Sequence, residues 1–258
     1  MVETVRSPAI PRAVAILEHV AQHGASTVSD ISDRTGIARS SGSDLCSSLE
    51  QEHFLRRQPD GRLILGRALS QAATGFTAGI PIIDDFVATC DKIDDLAGVT
   101  VTFDALYCDE VLCLAVRHGR LNIPLTPRPG RRLALVSSSA GLALLAGISA
   151  ADLRAHFDAF SGMLTNDDAG LAEISRTQSR LARSNGDLTM SNLRSERGAE
   201  IAYPITVGAT LLGAVTATVP ADQFDAEGVS RLAAAVRQAA LAFQAIAEGI
   251  TTPDAAAP

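Results

Sequence analysis

Arg39, Ser40, Ser41 and Ser43 place one guanidinium and three hydroxyls within five positions, and Asp44 follows directly. At the start of a helix such groups can donate to phosphate oxygens, and the helix terminus adds partial positive charge. Arg39 can also reach a guanine edge, whereas Asp44 can only accept, as from a cytosine amino group. Arg56, Arg57 and Arg62 flank a Pro59-Asp60-Gly61 turn and offer further cations to a backbone or a minor groove. A second cluster, Ser138, Ser139, Ala140 and Gly141, opens a nearly apolar helix. Its free N–H groups suit a carboxylate or similar anion. Taken singly, each serine reads as a helix cap and each arginine as a solvated charge. Their grouping is what favours contact.

Other reactive residues form no constellation. Cys108, Cys113 and His118 follow a C-x4-C-x4-H spacing without a fourth ligand, so strand-core cysteines are expected and no metal. Ser137–Ser139 lacks the G-x-S-x-G elbow, and His19, His23, His53 and His156 sit in no triad. The pairs Asp84-Asp85, Asp94-Asp95 and Asp167-Asp168 are adjacent in sequence and read as solvated caps. With no glycine-rich phosphate loop either, neither an enzyme nor a cofactor is expected.

The elements that must hold these groups can be read in order. Pro11 opens a helix with Val14, Leu17, Val20 and Ala21 as its apolar stripe and Ile16 beside it, ended by Gly24. Thr27 and Asp30 resemble a capping box for a short helix Val28–Arg34 that buries Val28 and Ile31. Gly36 turns into a third helix, Arg39–Glu52, with Leu45, Leu49 and Cys46 inward. Phe54–Arg56 and Arg62–Leu65 are strands about the Pro-Asp-Gly turn. That order is a winged helix-turn-helix, which lays its third helix in the major groove of DNA.

A linking helix over Gly66–Thr77, interrupted near Gly75 and Gly79, leads to a second unit from about Ile80. There the pattern predicts a helix over Ile83–Leu96 and strands over Val99–Leu106, Val111–Arg117 and Leu121–Thr126. Helices follow over Ser139–Ala146 and Leu171–Ser184, the latter ended by Asn185-Gly186. Strands Glu200–Ile205 and Leu211–Val219, a long helix Val229–Glu248 and a frayed tail Thr251–Pro258 complete the chain. The fold class is α+β with a curved, mostly antiparallel sheet.

With 258 residues, 47% hydrophobic and 20% charged, the chain can build a packed core. Its net charge of −7 argues against blanket nucleic-acid binding. Residues 1–75 are neutral, with eight arginines and eight acidic residues, so the acidity lies beyond them. The start carries Glu3 and Arg6 and no apolar run, and no stretch approaches a membrane span. A cytoplasmic protein with free thiols is expected.

Three stretches together resemble one family, the isocitrate-lyase-regulator (IclR) type of bacterial transcription factor. They are Pro11–Leu17 through Leu65-Gly66, then Gly130-Arg131-Arg132 with Ala140–Ala146, then Ile201–Ile205 with Gly213–Pro220. The resemblance implies a winged head over residues 8–66, a linker helix over 67–79 and a GAF-like effector-binding domain over 80–250. It implies double-stranded operator DNA and a small-molecule effector as partners, and the anion-favouring helix start at Ser138–Gly141 makes an organic or aromatic acid the expected effector. It further implies a homodimer or tetramer; a repressor with no membrane partner is expected. The effector pocket would lie at Ser138–Gly141 and be closed by Thr216 and Thr218, with Tyr203 adding a polar tip.

The chain departs from the family at several of these positions. Gly42 and Asp44 stand where a larger and a basic residue are usual, and Val136 and Leu142 where His and Lys are common. Glu200 replaces a small or thiol-bearing pocket residue, and Leu193–Arg197 lacks the usual Gly-Glu pair. Asp44 and the neutral head favour a second reading, a ligand-sensing or interaction protein whose head does not bind DNA.

Overall fold

The computed structural model describes residues 7–78, 80–121, 127–162, 164, 168–182, 190–195, 198–220 and 226–249. The chain divides into two compact units, Met1–Gly79 and Ile80–Pro258.

In the first unit, helix α1 (Ala9–His23) precedes α2 (Val28–Thr35) and α3 (Arg39–Gln51). The capping box forms: the Thr27 hydroxyl accepts from the Asp30 N–H, and the Asp30 carboxylate accepts from the Thr27 N–H. Gly36 ends α2 at φ 69°, a left-handed position that favours glycine. Strands β1 (Leu55–Arg57) and β2 (Leu63–Leu65) pair antiparallel, and Ser26 extends the ladder by bridging to Leu63. Ile16, Val20, Ile31, Ile37, Cys46, Leu55 and Leu63 form the core. Helix α4 (Arg67–Thr77) runs unbroken through Gly75, against the expected interruption.

The apolar stripe of α1 differs from the expected one. Ile16 and Val20 are fully buried with His19 beside them, while Val14 is 47% exposed. Two stripes a third of a turn apart both carry apolar residues, and the core takes the one through Ile16. In α3, Cys46 is the fully buried position, with Leu45 and Leu49 half-buried beside it.

The second unit is built on an antiparallel sheet of order β5-β4-β3-β8-β7-β6. Its strands are β3 (Thr100–Tyr107), β4 (Glu110–Arg117), β5 (Arg132–Ala134), β6 (Met190–Ser195), β7 (Gly198–Val207) and β8 (Thr210–Val219). Helices α5 (Pro81–Asp91) and α9 (Ala226–Ala247) cover one face. Helix α6 (Ser139–Gly147) covers the other, with α8 (Asp168–Ala182) behind it and α7 (Ala150–Ala159) following it in sequence. Side chains alternate between faces at period two. Val101, Phe103, Val215, Ala217 and Ile201 join the α9 side, and Ala202 and Ala214 the α6 side.

The helix expected over Ile83–Leu96 stops at Asp91, and a separate 3-10 turn spans Asp94–Leu96. Arg117 fixes this break, donating to the carbonyls of Leu96 and Val99 and to the Asp91 carboxylate. Of the strand expected over Leu121–Thr126, only Leu121 is among the described residues. Strand β4 lies between β3 and β5. The Asn185-Gly186 stop and the tail Thr251–Pro258 lie outside the described residues. No helix among the described residues is long and apolar enough to cross a membrane.

Candidate nucleic-acid interface and ligand cavity

The start of α3 is open. Its N-cap residue, Ala38, supplies no side-chain acceptor, so no side chain caps the first N–H groups of the helix. Arg39, Ser40, Ser43 and Asp44 are exposed around this end and Ser41 is half-buried. Arg39 leans across to α2, donating to the Ser29 hydroxyl at 2.8 Å, with Asp33 at 3.7 Å. That contact stays outside the core, since the Arg39 side chain is 71% exposed. The face combines hydroxyl donors, one cation, an anion-favouring helix end and one carboxylate acceptor.

The three wing arginines are not equivalent. Arg57 is committed within the head: its guanidinium donates to both Glu50 carboxylate oxygens, at 2.6 and 3.1 Å, and to the Gly61 carbonyl. It ties the wing to the end of α3. Arg62 lies 3.8 Å from Asp60 beside the turn, and Arg56 is exposed. Asp60 also accepts from the Arg62 N–H, and Gly61 has φ 84°, so the turn residues shape the tip.

Gly42 has a packing reason. It is buried against α2, and a Cβ there would lie 2.7 Å from the Ser32 hydroxyl. The glycine permits the close crossing of α2 and α3. The Ser32 oxygen is itself buried without a hydrogen-bond partner.

In the second unit a small cavity lies between α6 and the sheet, with about 20 Å³ of space, room for one water molecule. Thr102, Asp104, Cys113, Arg131, Glu200, Thr216 and Thr218 give it a polar lining, with Ala140 of α6 contributing. Register explains the grouping: Thr102 pairs with Thr216, Thr216 with Ala202, and Thr218 with Glu200. Asp104 is 1% exposed. Its Oδ2 accepts from the Thr102 hydroxyl at 2.6 Å and the Thr216 hydroxyl at 2.9 Å, while its Oδ1 is left without a partner. Burial pushes the Asp104 carboxyl up to about 6, and the charge of Glu200 adds to the rise.

The structure thus brings Ala140, Thr216 and Thr218 together and leaves other expected residues outside the lining. Ser138 is the N-cap of α6: its hydroxyl accepts from the Gly141 N–H and donates to the Ala134 carbonyl. The helix therefore caps itself there. Ser139 is fully buried with an unpartnered hydroxyl, and a Cβ on Gly141 would overlap the Leu135 carbonyl. Tyr203 is on the opposite face, opposite Val215 in register, where Arg237 of α9 stands 5.5 Å from its ring centre. Strand parity excludes it from this cavity. Asp104 escaped sequence reasoning because Thr100, Thr102 and Asp104 look like the exposed side of a half-buried strand. Helix α6 buries that side.

Residues 9–59 match the IclR helix-turn-helix domain. No curated protein matches the chain. Among solved structures, an IclR homolog from Microbacterium hydrocarbonoxydans, in complex with 4-hydroxybenzoate, superposes with TM-score 0.74 at 18% identity, covering 93% of this chain and 99% of that one. An IclR transcriptional regulator from Alicyclobacillus acidocaldarius gives 0.70 at 17% identity, covering 94% and 99%. The Thermotoga maritima IclR gives 0.62 at 19% identity, covering 94% and 98%. At these identities the likeness is one of fold.

Proposed function

We propose that the chain is an effector-controlled repressor of the IclR type that binds its operator through α3, on the strength of an IclR helix-turn-helix match at residues 9–59 and a fold shared with solved IclR regulators. The single observation that carries this reading is the open, donor-rich start of α3 within a matched DNA-binding domain. Arg39, Ser40, Ser41 and Ser43 meet phosphates or base edges, and Asp44 accepts from a cytosine. Arg56 and Arg62 reach the backbone from the wing, while Arg57 holds the wing in place.

The effector occupies the cavity lined by Thr216 and Thr218. Support comes from the buried polar lining and from the ligand held by the Microbacterium homolog. Because the cavity has room for only one water here, filling it requires the second unit to open, which supplies a change the head can respond to.

A second copy of the chain completes the regulator. Helix α4 buries none of its residues although Leu69, Ala72, Ala73 and Phe76 recur at helical spacing, and Phe76 is 58% exposed. Ile10 and Val14 of α1 are likewise exposed, at 64% and 47%. Apolar stripes of this kind need a partner, and a symmetric dimer would set two heads on a palindromic site. Sequencing of genomic fragments captured by the purified protein tests the reading. It should yield one recurrent palindromic site, and fragments drawn evenly from the genome would contradict it.

A further inference from the structure

We propose that the cavity between α6 and the sheet takes a small amine, whose ammonium group sits on the unpartnered oxygen of Asp104 in the negative field that Asp104 shares with Glu200. The inference rests on the effector-sensor reading and gives its ligand a chemical class, opposite in charge to the acid expected from the helix start at Ser138–Gly141.

Three observations carry it. First, Asp104 Oδ1 is buried beside the cavity with no hydrogen-bond partner, although Oδ2 of the same carboxylate holds two threonine hydroxyls. A buried acceptor left open is costly, and a donor from a ligand removes the cost. Second, the lining holds two carboxyl groups, Asp104 and Glu200, against one guanidinium, Arg131. One arginine offsets at most one of them, so a carboxylate ligand would add a charge of the sign already in excess. Third, the start of α6 is less available to an acid, because the Ser138 hydroxyl already takes the Gly141 N–H. A charged ammonium meets all three conditions: it donates, it neutralises, and it does not need the helix terminus.

The groups that face Asp104 are Thr102 on its own strand, Cys113 on β4, Thr216 on β8, Glu200 on β7 and Arg131 before β5. Of these, Glu200 and Arg131 are the charged ones. An ammonium ligand favours the ionised Asp104 and releases its proton on binding, so affinity rises with pH through about 6. An acid would favour the protonated form and bind more tightly as pH falls.

The test is a thermal-shift series on the full chain with butylamine, benzylamine and putrescine, against benzyl alcohol, benzoate and 4-hydroxybenzoate, from pH 5.5 to 7.5. An amine is expected to raise Tm, with the shift growing with pH. In Asp104→Asn and, separately, Glu200→Gln, its apparent Kd should weaken by about tenfold or more, as a lost charge-assisted bond implies. The proposal is overturned if the acids stabilise and the amines do not, if no amine stabilises, or if both variants respond like the parent chain. Operator binding separates the two levels of the account. Acids that bind and release DNA would leave the sensor standing and remove only the amine. A chain that binds no specific DNA would remove the regulator whatever the cavity holds.

Discussion

Arg57 of β1 grips Glu50 of α3 through two nitrogen–oxygen contacts of 2.6 and 3.1 Å, so the wing is fastened to the end of the helix that precedes it. The pair is part-exposed, and its stability contribution is about 0.5–1 kcal/mol. Its larger consequence is electrostatic. Arg57 is already neutralised within the head, whereas Arg39 keeps a largely exposed guanidinium beside the open end of α3. Each phosphate contact adds about 0.9 to the slope of log affinity against log salt. Replacing Arg39 with Gln should therefore lower that slope by roughly one, while Arg57→Gln should leave it nearly unchanged. Salt titrations of operator binding by the two variants decide this, and equal losses would refute the assigned roles.

Ser32 and Gly42 make a coupled pair at the crossing of α2 and α3. Ser32→Ala removes a buried hydroxyl that has no partner and should raise stability by about 1 kcal/mol. Gly42→Ala alone brings a Cβ to 2.7 Å from that hydroxyl, which cancels the gain in helix propensity. In the Ser32→Ala background the clash is gone, and the same change should stabilise by about 1 kcal/mol. Urea unfolding of the two single variants and the double variant gives the coupling; strict additivity would contradict the packing described.

Asp104 gives stability a pH dependence of defined sign. Its folded value of about 6 lies above the ordinary 3.8, so the folded state holds the proton more tightly than the unfolded chain. The resulting penalty is absent below pH 3.8 and complete above about 6. At one pKa unit per 1.36 kcal/mol its size is on the order of 3 kcal/mol. Asp104→Asn should accordingly raise Tm at pH 7.5, with the gain shrinking as pH falls towards 4. A gain that stayed constant with pH would place its origin elsewhere than in the carboxyl charge.

Much of the first unit was legible because its signals are local. The Thr27–Asp30 box, the Gly36 turn and the Pro59-Asp60-Gly61 hairpin are short-range chemistry, and each formed where its residues stand. What was not legible depends on tertiary partners. Val14 and Ile16 are both apolar, and only packing decides which one the core takes. Gly42 looked like a defect of α3 because its partner, Ser32, sits ten residues earlier on another helix. Helix α7 carries a mixed sequence with little apolar face, and β5 is three residues long, too short to register as a strand. In the cavity, Thr216 and Thr218 were anticipated while Asp104 was not, because a carboxylate buried on both sides contradicts the usual reading of a strand acid. Tyr203 was assigned by its chemistry, and strand parity puts it on the other face.

The central claim is that this head reads DNA specifically despite Asp44 and a neutral charge balance. The direct measurement is the affinity of the purified chain for the DNA upstream of its own coding sequence, against a scrambled duplex of equal length and composition, over roughly 50 to 200 mM salt. The account predicts a preference of roughly a thousandfold or more for the upstream DNA, retained as salt rises and non-specific binding fades. Equal affinity for both duplexes at every salt concentration would contradict it.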